Sequence, residues 1–371
     1  MNNGIKAIIV TLMAVALAAG YLTGVVDTGS YKPERLHIFL FNLCSGGTIL
    51  IYYSERLFVM SVRVWTFLIV SVCYAFFAFF ELYPATIACS VVLAVIVEYV
   101  REKRYPVFPF DFFSSEVPVS EKFNHASLLC LFIGLIISSL VIVNNQYLNY
   151  ISVENLDLDT FFLGFSFPLS LISMSVMFHL MEKQNFFKAA PAIKNACFWA
   201  VNLGVIIFFG FILLKMIVPQ VIVTTILFIA VIAIFIIFIK SVYGIQQKTF
   251  LVSGMLFLVY TSVTGILYIV LHFFPDVYDQ TSKLVIKLHA LSALYGWNLS
   301  GLAVISRLNN FPLRFNSCAM IAVHWCIVAI LVPLGYYNIL VAFFAVPAYF
   351  IFLLILFFSS EKPIRRDHAE D

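Results

Sequence analysis

The chain has 371 residues, of which 63% are hydrophobic and 11% are charged, and its mean hydropathy is +1.02. A soluble domain carries about a quarter of charged residues, so this composition excludes an ordinary soluble protein and indicates a polytopic membrane protein. The formal net charge is only +3. The basic residues stand singly near helix ends, which argues against a nucleic-acid-binding surface.

Twelve apolar segments of about 20 residues follow one another along the chain, and each is long enough to cross a hydrocarbon core. Backbone groups cannot stay unpaired in lipid, so we predict that all twelve are helices of one all-α transmembrane domain over residues 1–371. The segments cover residues 5–26, 36–54, 58–80, 84–100, 124–145, 159–181, 194–217, 219–240, 250–274, 283–304, 314–335 and 337–359. We recognise no internal repeat among them.

The first segment also resembles a secretory signal peptide. Lys6 precedes its apolar run, and the stretch Ala16-Leu17-Ala18 matches a cleavage motif. We favour an uncleaved first helix, because its length suits a membrane span and the distribution of charge requires it.

The basic residues predict the orientation of the helices. With the N-terminus in the cytoplasm, 17 of the 22 basic residues fall inside. The five that remain outside are Lys32, Arg35, Lys215, Lys283 and Lys287. The positive-inside rule therefore predicts cytoplasmic N- and C-termini and an even number of spans. The long inner loop after the fourth segment mixes Pro, Phe and charged residues, and we expect it to lie in the membrane interface.

The seven cysteines all lie in apolar segments. Their number is odd, and none belongs to a CxxC or CxxCH motif. This pattern argues against a disulfide framework, a thiolate zinc site and covalent c-type haem attachment.

Histidines are the ionisable residues that stand out within the predicted spans, where such residues are costly and often functional. His37 opens the second segment, and His289 lies about two turns into the tenth. The topology puts both in the outer half of the membrane. His324 lies near the middle of the eleventh segment, and His272 ends the ninth at the outer boundary.

Small or polar residues follow His289 at helical spacing, namely Ala293, Gly296 and Ser300. We expect this cleared face to leave room for a flat macrocycle. The alternative is structural, because small residues on a helix face also indicate close helix packing. An intramembrane histidine, likewise, often bonds only a backbone carbonyl group.

A pair of histidines at similar depth can hold haem iron by its two axial positions. His37 and His289 are therefore candidate ligands of a haem, and Arg35 or Lys287 can pair with a propionate near the outer surface. His324 and His272 are second-rank candidates. For His324 a second haem or a quinone pocket is the alternative to a structural role.

These features resemble the haem-copper oxidase subunit I superfamily, in particular its small NnrS-type members. The similar stretches are LHIFLFNLCSGGTIL, which contains His37, and LHALSALYGWNLSGLAVISR, which contains His289. The resemblance implies that both histidines bind a low-spin b-type haem. It also implies a quinone or an outer-face redox protein as partner, and a bacterial inner membrane as location.

The chain departs from the oxidase pattern at the copper site. Leu291 stands where the oxidases have a second histidine in the tenth helix, and the seventh segment contains no histidine. No copper site is expected, and we recognise no complete catalytic centre.

Three functions follow from these observations. The first is a membrane-embedded haem protein for electron transfer or for response to a small gas such as nitric oxide. The second is a secondary transporter, although the spans carry no acidic residue near their centre, where coupled carriers usually place one. The third is a non-catalytic integral subunit of a larger membrane complex.

Overall fold

Twelve helices of the computed structural model are long and apolar enough to cross a membrane, which confirms an all-α integral membrane protein with twelve spans. They are α1 (Asn3–Leu22), α2 (Arg35–Glu55), α3 (Val62–Phe79), α4 (Tyr83–Glu102), α5 (Val119–Leu148), α6 (Phe162–Glu182), α7 (Pro191–Leu213), α8 (Ile217–Ser241), α9 (Gln246–Leu271), α10 (Pro275–Ser306), α11 (Ser317–Gly335) and α12 (Ile339–Phe358). No strand occurs in the part of the chain that the structure describes.

The structure describes residues 1–22, 33–57, 60–151, 161–182, 190–241, 246–308, 311, 313 and 316–359. Parts of four predicted spans, at 23–26, 58–59, 159–160 and 314–315, lie outside these residues, and so does Lys32.

The start of the first helix and the end of the last helix lie on the same side of the bundle. Nζ of Lys6 in α1 lies 3.3 Å from the carbonyl oxygen of Phe357 at the end of α12. We call this side the inner end, because the sequence predicts that both termini are cytoplasmic. The opposite side is the outer end.

Helices α2, α6 and α10 form the interior of the bundle. In their most apolar 18-residue windows, 83%, 72% and 78% of the residues are buried, against 22–61% in the other nine spans. The enclosed helix is therefore the second of every four. Counted along the chain, the helices thus fall into three groups of four, α1–α4, α5–α8 and α9–α12, which we call the four-helix units. No residue motif reveals this repeat of position.

Each of the three interior helices contains a π-helical segment, which turns its side chains away from the regular 3.6-residue spacing. These segments cover Phe39–Gly47 in α2, Phe162–Ser166 in α6 and Ser292–Asn298 in α10.

Helix α10 begins eight residues earlier than predicted. Pro275 starts it, where its fixed φ and missing N–H suit the first turn. The residues that follow Pro275 are largely polar, so hydropathy does not assign them to a membrane span. With 32 residues the helix is about 48 Å long, more than the roughly 30 Å of a hydrocarbon core. Its outer turns extend beyond the length that a span requires.

Candidate functional site

His37 is held against helix α1. Its Nδ1 lies 2.8 Å from the carbonyl oxygen of Ala16. Its ring also lies against Gly20, where a Cβ atom would come within 2.9 Å of Nδ1. A carbonyl oxygen only accepts hydrogen bonds, so Nδ1 carries the proton and the lone pair of the imidazole is at Nε2.

His289 is held in the same way against helix α9. Its Nδ1 lies 2.9 Å from the carbonyl oxygen of Thr261. Its ring lies against Gly265, where a Cβ atom would come within 2.9 Å of Nδ1 and 3.0 Å of Cε1. The lone pair of this imidazole is again at Nε2.

The two arrangements are equivalent, and we call each a histidine seat: a carbonyl acceptor on the preceding helix, with a glycine four residues later. His37 stands 18 residues before the last residue of α2, Glu55, and His289 stands 17 residues before the last residue of α10, Ser306. The two histidines therefore occupy matching positions in the first and third four-helix units.

The middle unit has a glycine at the matching position. Gly164 stands 18 residues before the last residue of α6, Glu182. It lies against Gly134 of α5, where a Cβ atom would come within 2.3 Å of the Gly164 Cα. The backbones of α5 and α6 thus contact each other at the level where the other two units hold a histidine.

Nε2 of each seated histidine has no hydrogen-bond partner among the described residues, and metal-binding histidines commonly hold their other ring nitrogen in this way. His37 is 8% exposed and His289 is partly buried. Each residue thus presents a neutral imidazole with an oriented lone pair, which is the donor type that haem iron takes from histidine.

Tyr295 connects the His37 seat to helix α10. Its hydroxyl oxygen lies 3.0 Å from Nδ1 of His37, and its side chain is fully buried. Its own carbonyl oxygen accepts a hydrogen bond of 2.7 Å from Nε2 of His324 on α11. The contact between Tyr295 and His37 thus joins α2 to α10, the helix that carries His289.

The two candidate propionate partners each precede a seated histidine by two residues. Lys287 reaches the turn between α11 and α12, with Nζ 4.8 Å from the ring centre of Tyr336 and 5.4 Å from that of Tyr337. Arg35 is partly buried. Both cations lie toward the outer end of the bundle.

The second-rank histidines lie apart from the seats. His324 is buried, donates from Nε2 to a carbonyl group and stacks on Phe352 at 4.9 Å between ring centres. His272 is exposed just after α9, and its Nδ1 lies 3.1 Å from the carbonyl oxygen of Tyr268.

The expectation of a cleared face below His289 is wrong. Gly296 lies against Phe257 of α9, where a Cβ atom would come within 2.3 Å of that ring. Ser300 lies against Gly254 of the same helix. These small residues let α9 and α10 approach closely, which is the packing alternative.

A polar cluster at the inner end was not predicted in detail. Nε2 of His125 accepts a 2.8 Å hydrogen bond from Arg101, and its Nδ1 donates over 2.8 Å to Asp111. Arg101 is paired with Glu98 through two hydrogen bonds. Both ring nitrogens of His125 are thus occupied, and the group fastens the inner loop to α4 and α5.

The same loop is packed by aromatic rings. Tyr105 stacks on His125 at 4.5 Å between ring centres, and its hydroxyl group donates to Glu121. Burial, followed by the charge of Glu121, raises the pKa of the Tyr105 phenol well above its ordinary value. By contrast, Phe108 and Phe110 are exposed.

Within the described ranges, no three His, Cys, Asp or Glu side chains come together in a group that could hold a metal ion. No protein-family model and no curated protein matches the chain.

Proposed function

We propose that the protein is a membrane-embedded b-type haem protein for electron transfer, related to the haem-copper oxidase subunit I superfamily and its NnrS-type members but without their copper site. The observation that carries this proposal is the pair of equivalent seats, in which Nδ1 of His37 and of His289 is bonded to a carbonyl group and Nε2 has no hydrogen-bond partner among the described residues. If the two histidines had only unrelated structural roles, the same combination of a carbonyl acceptor and a glycine would not be expected at both.

In this proposal Nε2 of His37 and Nε2 of His289 ligate the iron, and Arg35 and Lys287 pair with the propionates. When bound, the haem supplies a reversible one-electron couple. Helices α2 and α10, which carry the ligands, are two of the three interior helices, so the protein shields the cofactor from lipid.

Electron transfer is favoured over a response to a gas. If His37 and His289 both held the iron, the haem would have no open position for a gas such as nitric oxide. Electron transfer needs no open position. A quinone or an outer-face redox protein in a bacterial inner membrane is the partner that this function requires.

The test is a reduced-minus-oxidised optical spectrum of the detergent-purified protein, with a pyridine haemochrome assay. We expect a sharp b-type α-band that is lost in both His37→Ala and His289→Ala. His272→Ala is the matched control, because that histidine is exposed and lies outside the seats. A colourless protein from haem-replete cells would refute the proposal, and solute transport and subunit association would then be tested.

A further inference from the structure

Tyr295 is the residue through which helix α10 contacts the His37 seat. We propose that Tyr295 is a positioning residue that lowers the redox potential of the haem held by His37, by accepting a hydrogen bond from the far side of the imidazole. This inference rests on the proposed function and goes beyond it, because it assigns unequal roles to the two seats.

The direction of the hydrogen bond follows from the contacts of Nδ1. This atom lies 2.8 Å from the carbonyl oxygen of Ala16 and 3.0 Å from the hydroxyl oxygen of Tyr295. The carbonyl cannot donate, so Nδ1 carries the hydrogen and shares it between two oxygen acceptors. The Tyr295 oxygen is therefore the second acceptor.

A hydrogen bond given by Nδ1 makes Nε2 a stronger electron donor. Outer-shell partners of this kind raise the basicity of a histidine ligand and thereby affect the metal. A more basic imidazole favours ferric over ferrous iron. A second acceptor on Nδ1 therefore lowers the midpoint potential of a haem bound at Nε2.

The fold fixes the position of the Tyr295 hydroxyl group. The ring is fully buried and packs edge-on against Phe41 and Tyr349, each with 5.1 Å between ring centres. The Tyr295 carbonyl group is bonded to His324. The residue also lies within the π-helical segment Ser292–Asn298, which departs from the regular orientation of an α-helix.

The other seat lacks such a contact. Nδ1 of His289 is bonded to the carbonyl group of Thr261, and among the described residues no hydroxyl group contacts it. The two seats, otherwise equivalent, thus differ in one acceptor. The additional acceptor therefore strengthens Nε2 as an electron donor in His37, the ligand on α2, and not in His289.

Tyr349 offers a matched control. It is as buried as Tyr295 and touches its ring, but its hydroxyl group has no hydrogen-bond partner among the described residues. Tyr295→Phe and Tyr349→Phe therefore each remove one buried hydroxyl group from the same cluster. Only Tyr295→Phe removes an acceptor from a seated histidine.

The experiment is a redox titration of the haem α-band in the unsubstituted protein and in both variants, with the haem content measured by pyridine haemochrome. We expect all three proteins to retain the haem, and the midpoint potential to rise in Tyr295→Phe alone. An unchanged potential in haem-loaded Tyr295→Phe, or an equal rise in Tyr349→Phe, overturns the inference. A haem-free unsubstituted protein overturns the proposed function as well, so the two failures are distinguishable.

If Tyr295→Phe does not fold, a ring-fluorinated tyrosine placed at position 295 replaces it in the titration. This residue keeps the hydroxyl group and nearly the same shape, but its oxygen is a weaker acceptor. The midpoint potential should again rise. A potential equal to that of the unsubstituted protein would contradict the role assigned to Tyr295.

Discussion

Gly265 of α9 lies directly against the imidazole of His289 on α10. A Cβ atom at this glycine would come within 2.9 Å of Nδ1, the atom that is also bonded to the carbonyl oxygen of Thr261. Any side chain larger than hydrogen would push the ring away from the carbonyl group that orients it. The glycine is therefore part of the seat, and Gly20 has the same relationship to His37.

Gly265→Ala and Gly20→Ala should each weaken haem binding about 10- to 100-fold, as the loss of an outer-shell partner commonly does. The haem content after purification at limiting haem measures this effect. Gly210→Ala in α7 is the matched control, since no atom lies within 4 Å of the added Cβ. If the seat variants bind haem as well as the Gly210 variant, the glycines have no part in ligand orientation.

Gly134→Ala should destabilise the protein without the involvement of any haem ligand. Its Cβ atom would meet the Gly164 Cα at 2.3 Å and the Gly164 carbonyl oxygen at 2.8 Å, and backbone atoms cannot move aside as a side chain can. Overpacking of this kind costs about 1–3 kcal/mol or more.

Thermal unfolding in detergent measures the effect, again against Gly210→Ala. A Gly134 variant as stable as this control would show that α5 and α6 do not require the close backbone contact. The haem content per folded protein should stay at the unsubstituted level, because neither seat is touched.

The number of spans and the level of both histidines could be predicted from the sequence, since hydropathy and charge depend on residue type alone. What fills the face of α10 could not. His289, Gly296 and Ser300 all face α9, but residue type does not tell whether a small residue leaves a space or receives a neighbouring ring such as that of Phe257. The seats were missed because Ala16 and Thr261 contribute only their carbonyl oxygens, which any residue has. Tyr295 was missed because it and His37 are 258 positions apart in the chain.

His324→Phe should leave the haem content unchanged and lower stability slightly. Nε2 of His324 donates to the Tyr295 carbonyl group, so it already has a partner, and its ring stacks on Phe352 in a way that phenylalanine can reproduce. Losing one such hydrogen bond costs about 0.5–1.5 kcal/mol. The α-band and the unfolding temperature are measured together, and loss of the α-band in a folded His324 variant would identify it as a ligand.

Asp111→Ala should loosen the inner loop. The carboxylate of Asp111 accepts the hydrogen bond from Nδ1 of His125, whose Nε2 is already bonded to Arg101. Removing the acceptor leaves a buried N–H group unpaired, which costs about 1–3 kcal/mol. The loop then separates more often from α4 and α5 and exposes its backbone to protease.

Chymotrypsin measures this opening, because the exposed Phe113, which is followed by Ser114, offers a cleavage site in the same loop. We expect faster cleavage in Asp111→Ala than in the unsubstituted protein. Glu116→Ala is the control, since that carboxylate lies exposed in the same loop and makes no hydrogen bond to the described residues. Equal cleavage of the two variants would mean that the His125 cluster does not hold the loop. The haem α-band should persist in both, because the loop lies at the opposite end of the bundle from the histidine seats.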